Sequence, residues 1–134
     1  MGEDKGSAKT VLVAEGLSDT RMFMRMALEE HGYRVVEALT GEEAVEVARD
    51  ERPDLILLDL HLQGPGGLEA ARRIREEAGL GGVPIVATST SESPELEAEA
   101  LAAGCDMFRR QPIDFGKFGE IADLLLRPRA QGGG

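Results

Sequence analysis

Three short apolar runs punctuate the chain: VLVA at 11–14, LILL at 55–58 and IVAT at 85–88. None alternates apolar with polar positions, which is the pattern of strands covered on both faces in the middle of a parallel sheet. Two weaker runs, RVVEA at 34–38 and DMFRR at 106–110, mix the two kinds of residue and suit the edges of the same sheet. Between the runs the spacing turns helical. Ser18 can cap a helix that reaches about His31 and stops at Gly32. Thr40-Gly41-Glu42-Glu43 reads as a capping box for a helix to about Asp50, ended by Pro53. A third helix is expected from Gly67 to about Ala78, with Leu68, Ala71 and Ile74 on one face. Ser93 before Pro94 is an N-cap with proline at the first helical position, for a helix that runs to Ala103 and stops at Gly104. Asp114 can cap a last helix through Leu126.

Strand then helix, repeated five times, predicts an α/β doubly wound sandwich with a parallel sheet. Right-handed crossovers place every strand-to-helix loop at one edge, and the working site of such folds lies at the carboxyl ends of the strands. One domain is expected over residues 10–127. Residues 1–9 read as a loose polar arm and 128–134 as a frayed tail.

Composition narrows the partners. Apolar residues make up 42% of the 134, enough for a folded core, and the net charge is −10. Such a chain has no electrostatic reason to bind nucleic acid or an anionic membrane, and basic protein surfaces suit it better. No apolar run approaches the roughly 20 residues needed to span a bilayer. MGEDKGSAK lacks the apolar stretch of a secretory leader. The single cysteine, Cys105, excludes an internal disulfide and fits a cytoplasmic, reducing setting. A small buried filler is its expected role.

The chemistry sits where the strands end. Glu15 follows the first strand, Asp59 the third, Ser89 the fourth and Gln111-Pro112 the fifth. Two carboxylates, a hydroxyl and an amide should therefore converge. Hard oxygen ligands of this kind suit Mg²⁺, and an aspartate so placed could attack a phosphoryl group. The same acids also read as two solvated loop carboxylates.

The segments PDLILLDLHLQGPGGLEAARRIR, VPIVATST, ALAAGCDMFRRQPID and GYRVVEALTGEEAVEV together resemble the receiver domain of two-component response regulators, over about residues 10–127. The resemblance implies a flavodoxin-like (βα)5 sandwich with strand order 2-1-3-4-5. By position it implies that Asp59 is the phospho-acceptor and Glu15 the first of the family's acidic pair. Ser89 falls at the hydroxyl that hydrogen-bonds the phosphoryl group. Phe108 matches the aromatic that turns inward on activation, although a simple packing role on an edge strand is the competing expectation. Glu15, Asp59 and the backbone carbonyl of His61 would hold Mg²⁺, while the His61 ring is expected to stand in solvent.

Two positions and one loop depart from the family pattern. Gly16 replaces the second acid, a direct metal ligand. Gln111 replaces a lysine that contacts the phosphoryl group; its amide can donate a hydrogen bond but carries no charge. Gln63-Gly64-Pro65-Gly66 lacks the usual proline and acid of its loop. The first two changes balance: three carboxylates and a lysine sum to −2, and so do Glu15 and Asp59 alone. Mg²⁺ binding should be weakened. Asp19 is assigned to the first turn of its helix, where an acid favours the dipole.

Two functions follow. One is a non-enzymatic response regulator, phosphorylated on Asp59 by a sensor histidine kinase or a histidine phosphotransfer protein, which signals to a downstream protein target. The other is a pseudo-receiver that binds partners without phosphate control. A related metal-dependent phosphatase is disfavoured, because such enzymes need an acid two residues after the nucleophile and here that residue is His61. On the first helix Met22 and Met26 share a face beside Arg21 and Arg25, and these methionines are expected mainly in the core. Glu92, Glu95, Glu97 and Glu99 make the fourth helix acidic, a solvated face or a lure for a basic partner. Of Phe118, Ile121, Leu124 and Leu125 some must be core, and any surplus could support a homodimer.

Overall fold

The computed structural model describes residues 8–91, 93–111 and 114–126. The expected arm and tail therefore lie outside the described residues, apart from Ala8 and Lys9, which are exposed. The elements alternate in chain order: β1 (Thr10–Ala14), α1 (Ser18–Glu30), β2 (Arg34–Ala38), α2 (Gly41–Glu51), β3 (Leu55–Asp59), α3 (Gly66–Glu76), β4 (Ile85–Ser89), α4 (Pro94–Ala102), β5 (Met107–Arg110) and α5 (Gly116–Leu126). The five strands pair in parallel in the order β2-β1-β3-β4-β5, so the two mixed-polarity runs are the edges.

The residues of the central strands point alternately to two cores, as the period of two dictates. Val11, Val13, Leu55, Leu57 and Val86 pack on Met24 and Leu28 of α1 and on Phe118, Ile121 and Ala122 of α5. Leu12, Ile56, Leu58, Ile85 and Ala87 pack on α2, α3 and α4 through residues such as Val45, Ile74 and Ala100. This double covering is why the central runs carry no charged residue and no polar one before Thr88 at the end of the third. Cys105 is buried in the second core, and that burial raises its thiol pKa to about 11. A polar clasp joins α1 to α5 at the edge away from the strand ends. Tyr33 donates its hydroxyl to Asp123 at 2.6 Å, and His31 Nδ1 lies 2.7 Å from the other oxygen.

Helix boundaries confirm most of the capping chemistry. The Thr40 hydroxyl accepts from the Glu43 N–H, and the Glu43 carboxylate accepts from the N–H of Leu39. Ser93 accepts from the Leu96 N–H with Pro94 just inside the helix. Asp114 Oδ1 accepts from the Gly116 N–H at the start of α5. Ser18 corrects the first expectation: it is already helical, and Leu17 holds the N-cap position without a side-chain cap. The cause is Glu15, whose carboxylate takes the Leu17 N–H at 3.1 Å and turns the chain into the helix one residue early.

The facing of α1 is the second correction. Met24, Ala27 and Leu28 are the buried residues, an i, i+3, i+4 set. Met22 and Met26, expected in the core, are 46% and 48% exposed.

Candidate functional site

β1, β3, β4 and β5 end level with one another and deliver their next side chains to one edge of the sheet. The register pairs Ala14 with Leu58, Asp59 with Thr88, and Ser89 with Arg110. Glu15 and Asp59 thus continue neighbouring strands at the same level. A cavity of about 440 Å³ opens there, walled by Glu15, Gly16, Asp59, His61, Thr90 and Gln111 together with the leucines at 17, 39 and 62.

Glu15 is the most enclosed of these groups, at 2% exposure. One carboxylate oxygen accepts from the Leu17 N–H, and the other lies 3.4 Å from Gln111 Nε2, which donates to it. Arg21 pins the turn by donating to the Glu15 backbone carbonyl at 2.9 Å. Burial pushes the Glu15 carboxyl above its ordinary range, and the negative charge of Asp59 pushes it further. The Leu17 N–H and the Gln111 amide pull the other way. Asp59, half-buried, accepts the His61 backbone N–H at 2.9 Å.

The raised Glu15 pKa has a sign in the stability. The folded protein holds this proton more tightly than the unfolded chain, whose value is near 4.5. The contribution is favourable in full below that value and is lost as pH rises through the folded pKa. At neutral pH the ionised carboxylate works against the fold. Glu15→Gln is therefore expected to raise the melting temperature at pH 7 by a few degrees, with the difference from wild type closing towards pH 4. Paired melting curves read the loss of the Glu15 charge together with its repulsion of Asp59. A lower melting temperature for the variant at pH 7 would contradict this.

The backbone leaves room for a side chain at Gly16. A Cβ there would meet only the Leu39 carbonyl, at 3.5 Å, an ordinary contact. Asp19 is exposed in the first turn of α1 and does not wall the cavity. Ser89 is fully buried and receives the Ser91 N–H at 2.9 Å. Phe108 is half-buried and packs against the core under α4. Pro112 lies outside the described residues.

His61 departs from expectation. Its residue is exposed, yet the ring does not simply stand in solvent: Nε2 lies 2.7 Å from the Ser89 hydroxyl. The ring thus spans from the loop after β3 to the end of β4. Sequence patterns gave no direction for a loop side chain, since the direction depends on how the loop sits. Here Leu60 N–H donates to the Thr88 carbonyl, and Gln63 accepts from the Gly41 N–H. The leucines of the cavity wall were also missed, because Leu17 and Leu39 sit in polar turns with no periodicity.

A sequence model of the response regulator receiver domain matches residues 11–122. The chain is 30% identical over 118 residues to the polar-differentiation response regulator DivK of Brucella anthropi, covering 88% of this chain and 96% of that one. Among solved structures, the chemotaxis protein CheY4 of Vibrio cholerae superposes with a TM-score of 0.83 at 25% identity, covering 90% of this chain and all (100%) of that one. A response regulator protein from Burkholderia multivorans gives a TM-score of 0.77 at 28% identity, over 92% of this chain and 99% of the other. A match spanning the whole sheet, together with the order β2-β1-β3-β4-β5, means that this chain belongs to the response regulator receiver domain family of two-component signalling.

Proposed function

We propose that this receiver domain accepts a phosphoryl group on Asp59 and passes its state on by protein contact. One observation carries the reading: Asp59 ends β3 beside Glu15, on the wall of an open cavity, with the buried Ser89 hydroxyl on the neighbouring strand held 2.7 Å from the His61 ring. In the reaction a carboxylate oxygen of Asp59 forms a bond to phosphorus. The bond from phosphorus to the donor breaks, and its electron pair leaves with the donor.

Receiver domains typically bind Mg²⁺. Glu15, Asp59 and the His61 backbone carbonyl are the groups that would hold it here, and their hard oxygens fit the ion. Burial and, after it, the charge of Asp59 disfavour the Glu15 carboxylate, and a dication would offset both. When bound, the ion supplies charge neutralisation for phosphoryl transfer. Gly16 gives no ligand, and no group of three or more His, Cys, Asp or Glu side chains is gathered among the described residues. More of the shell is then water, and affinity is weakened.

The phosphodonor is a sensor histidine kinase or a histidine phosphotransfer protein. Its docking face is α1, where Met22, Phe23 and Met26 are close to half exposed and Leu17 is 65% exposed at the cavity rim. Phe23 stacks on Phe115 at 5.3 Å and ties this face to the start of α5. Output to a downstream protein target uses α4, β5 and α5. Ala100 is the one fully buried residue of α4, so this helix shifts at low cost. Leu101 and Leu124, 49% and 72% exposed, provide apolar contact for a target or for a second copy in a homodimer. Nucleic acid is not a partner, since the net charge is −10. No helix among the described residues is long and apolar enough to cross a membrane. The unpaired Cys105 fits the reducing cytoplasm, where we place the chain.

A second reading has its own observation. The Gln111 amide and the Leu17 N–H already satisfy Glu15, so its carboxylate has partners without any cation. That favours a pseudo-receiver, a protein-interaction module free of phosphate control. Incubation with acetyl phosphate and Mg²⁺, read by intact mass, separates the two. The expected result is a gain of one phosphoryl group that Asp59→Asn abolishes. No gain, with amide spectra unmoved by beryllofluoride, would establish the pseudo-receiver.

A further inference from the structure

Phosphoryl oxygens on Asp59 need hydrogen-bond donors, and the cavity wall offers the hydroxyl of Thr90, the amides of Gln63 and Gln111 and the His61 ring. No lysine or arginine walls it among the described residues. The Gln111 amide turns to Glu15, at 3.4 Å. The His61 ring is placed otherwise. Its own backbone N–H is fixed on Asp59 Oδ1, and its Nε2 is held 2.7 Å from Ser89 Oγ. Ser89 is fully buried and already accepts the Ser91 N–H, so its remaining hydrogen-bonding capacity is turned to the ring. The imidazole, on the cavity wall with Asp59, and the hydroxyl, buried at the end of the neighbouring β4, form one polar pair.

We infer that the His61 imidazole is a phosphoryl-contacting side chain, taking over with Ser89 the role that a lysine at position 111 would fill. This rests on the reading of Asp59 as phospho-acceptor. In the resting protein Nε2 and Ser89 Oγ share one hydrogen bond. On phosphorylation that bond is exchanged for two: the ring, with a hydrogen on Nε2, donates to one phosphoryl oxygen, and the Ser89 hydroxyl donates to another. No proton leaves either group, and the covalent change stays at Asp59. The donor that Gln111 does not supply from the end of β5 comes instead from the loop that carries the acceptor. That loop and β4 then share one sensor of the phosphoryl group.

The test compares wild type with His61→Ala, His61→Gln and the double variant His61→Ala with Gln111→Lys. The readouts are the acetyl phosphate labelling rate by intact mass and the beryllofluoride midpoint by amide spectra. His61→Ala is expected to lose about ten- to a hundredfold on both, the worth of one hydrogen bond to a charged oxygen. His61→Gln, which keeps a side-chain N–H donor at similar reach, recovers most of the loss. Lysine at 111 recovers it from the other side. His61→Ala also takes a partner from the buried Ser89 hydroxyl and should lower the melting temperature by a few degrees, so both readouts are taken well below the transition, where every variant is folded. If wild type responds and His61→Ala responds equally or better, the inference is overturned while the receiver reading stands. If wild type itself is silent to both reagents, the reading of Asp59 as phospho-acceptor fails and the inference about His61 falls with it.

Discussion

Gly16→Asp combined with Gln111→Lys is expected to raise Mg²⁺ affinity about tenfold, ~1.4 kcal/mol, over wild type. Coulomb's law at an effective dielectric near 20 gives ~4 kcal/mol for unit charges 4 Å apart, and desolvating the new carboxylate consumes much of it. The backbone accepts the aspartate, since a Cβ at Gly16 makes only one ordinary contact. The single variants should differ from the double. Gly16→Asp alone adds a third acid beside Glu15, whose carboxyl is already pushed towards its neutral form by burial and by Asp59. Without metal it should lower the melting temperature, and Mg²⁺ should restore it. Gln111→Lys alone sets an ammonium where the amide now meets Glu15, and should stabilise the metal-free protein while competing with Mg²⁺. Titration calorimetry and melting curves of the four proteins decide the matter. If Gly16→Asp alone raised both metal-free stability and Mg²⁺ affinity, the two changes would not be a balanced pair.

The strands were legible because a parallel sheet buried on both faces leaves no room for polar positions, as in LILL at 55–58. The strand ends were legible for the same reason: Glu15 and Asp59 are the first acids after fully apolar runs. The facing of α1 was not. Met22, Phe23, Met24, Met26, Ala27 and Leu28 are nearly continuous, so two helical stripes fit the sequence equally well. Packing on Val11, Val13 and α5 chose the one through Met24 and Leu28. The His61 ring was illegible in a different way. Its direction is fixed by Ser89, 28 residues on, and by a loop held through Leu60 and Gln63. No local rule of spacing reaches that far. Gly16 and Gln111 were visible as substitutions, but the direct amide–carboxylate contact between the elements that carry Glu15 and Gln111 is a tertiary fact.

Gly67→Ala should be the most damaging small substitution near the site. Gly67 is the second residue of α3, and the helix comes down directly on the end of β3. A Cβ there would lie 2.5 Å from Leu60 Cα and 2.6 Å from the Asp59 carbonyl oxygen. Both are backbone atoms, so no side-chain rotation relieves the clash. Either α3 lifts away from the core that holds Ala70, Ala71 and Ile74, or the segment 59–60 moves. Overpacking of this kind costs typically about 1–3 kcal/mol. With two backbone contacts the cost should lie near the top of that range, lowering the melting temperature by on the order of 10 °C. Gly82→Ala is the control, because a Cβ there meets open space; it should stay within about 0.5 kcal/mol of wild type. Urea unfolding of the two variants measures the difference. The same displacement would carry the Asp59 backbone and the His61 N–H that rests on its carboxylate, so amide shifts should spread to β4 through the His61–Ser89 bond. A Gly67→Ala protein as stable as Gly82→Ala, with shifts confined to α3, would mean that α3 can pivot freely over the end of β3. The close approach would then have no part in holding Asp59 in place.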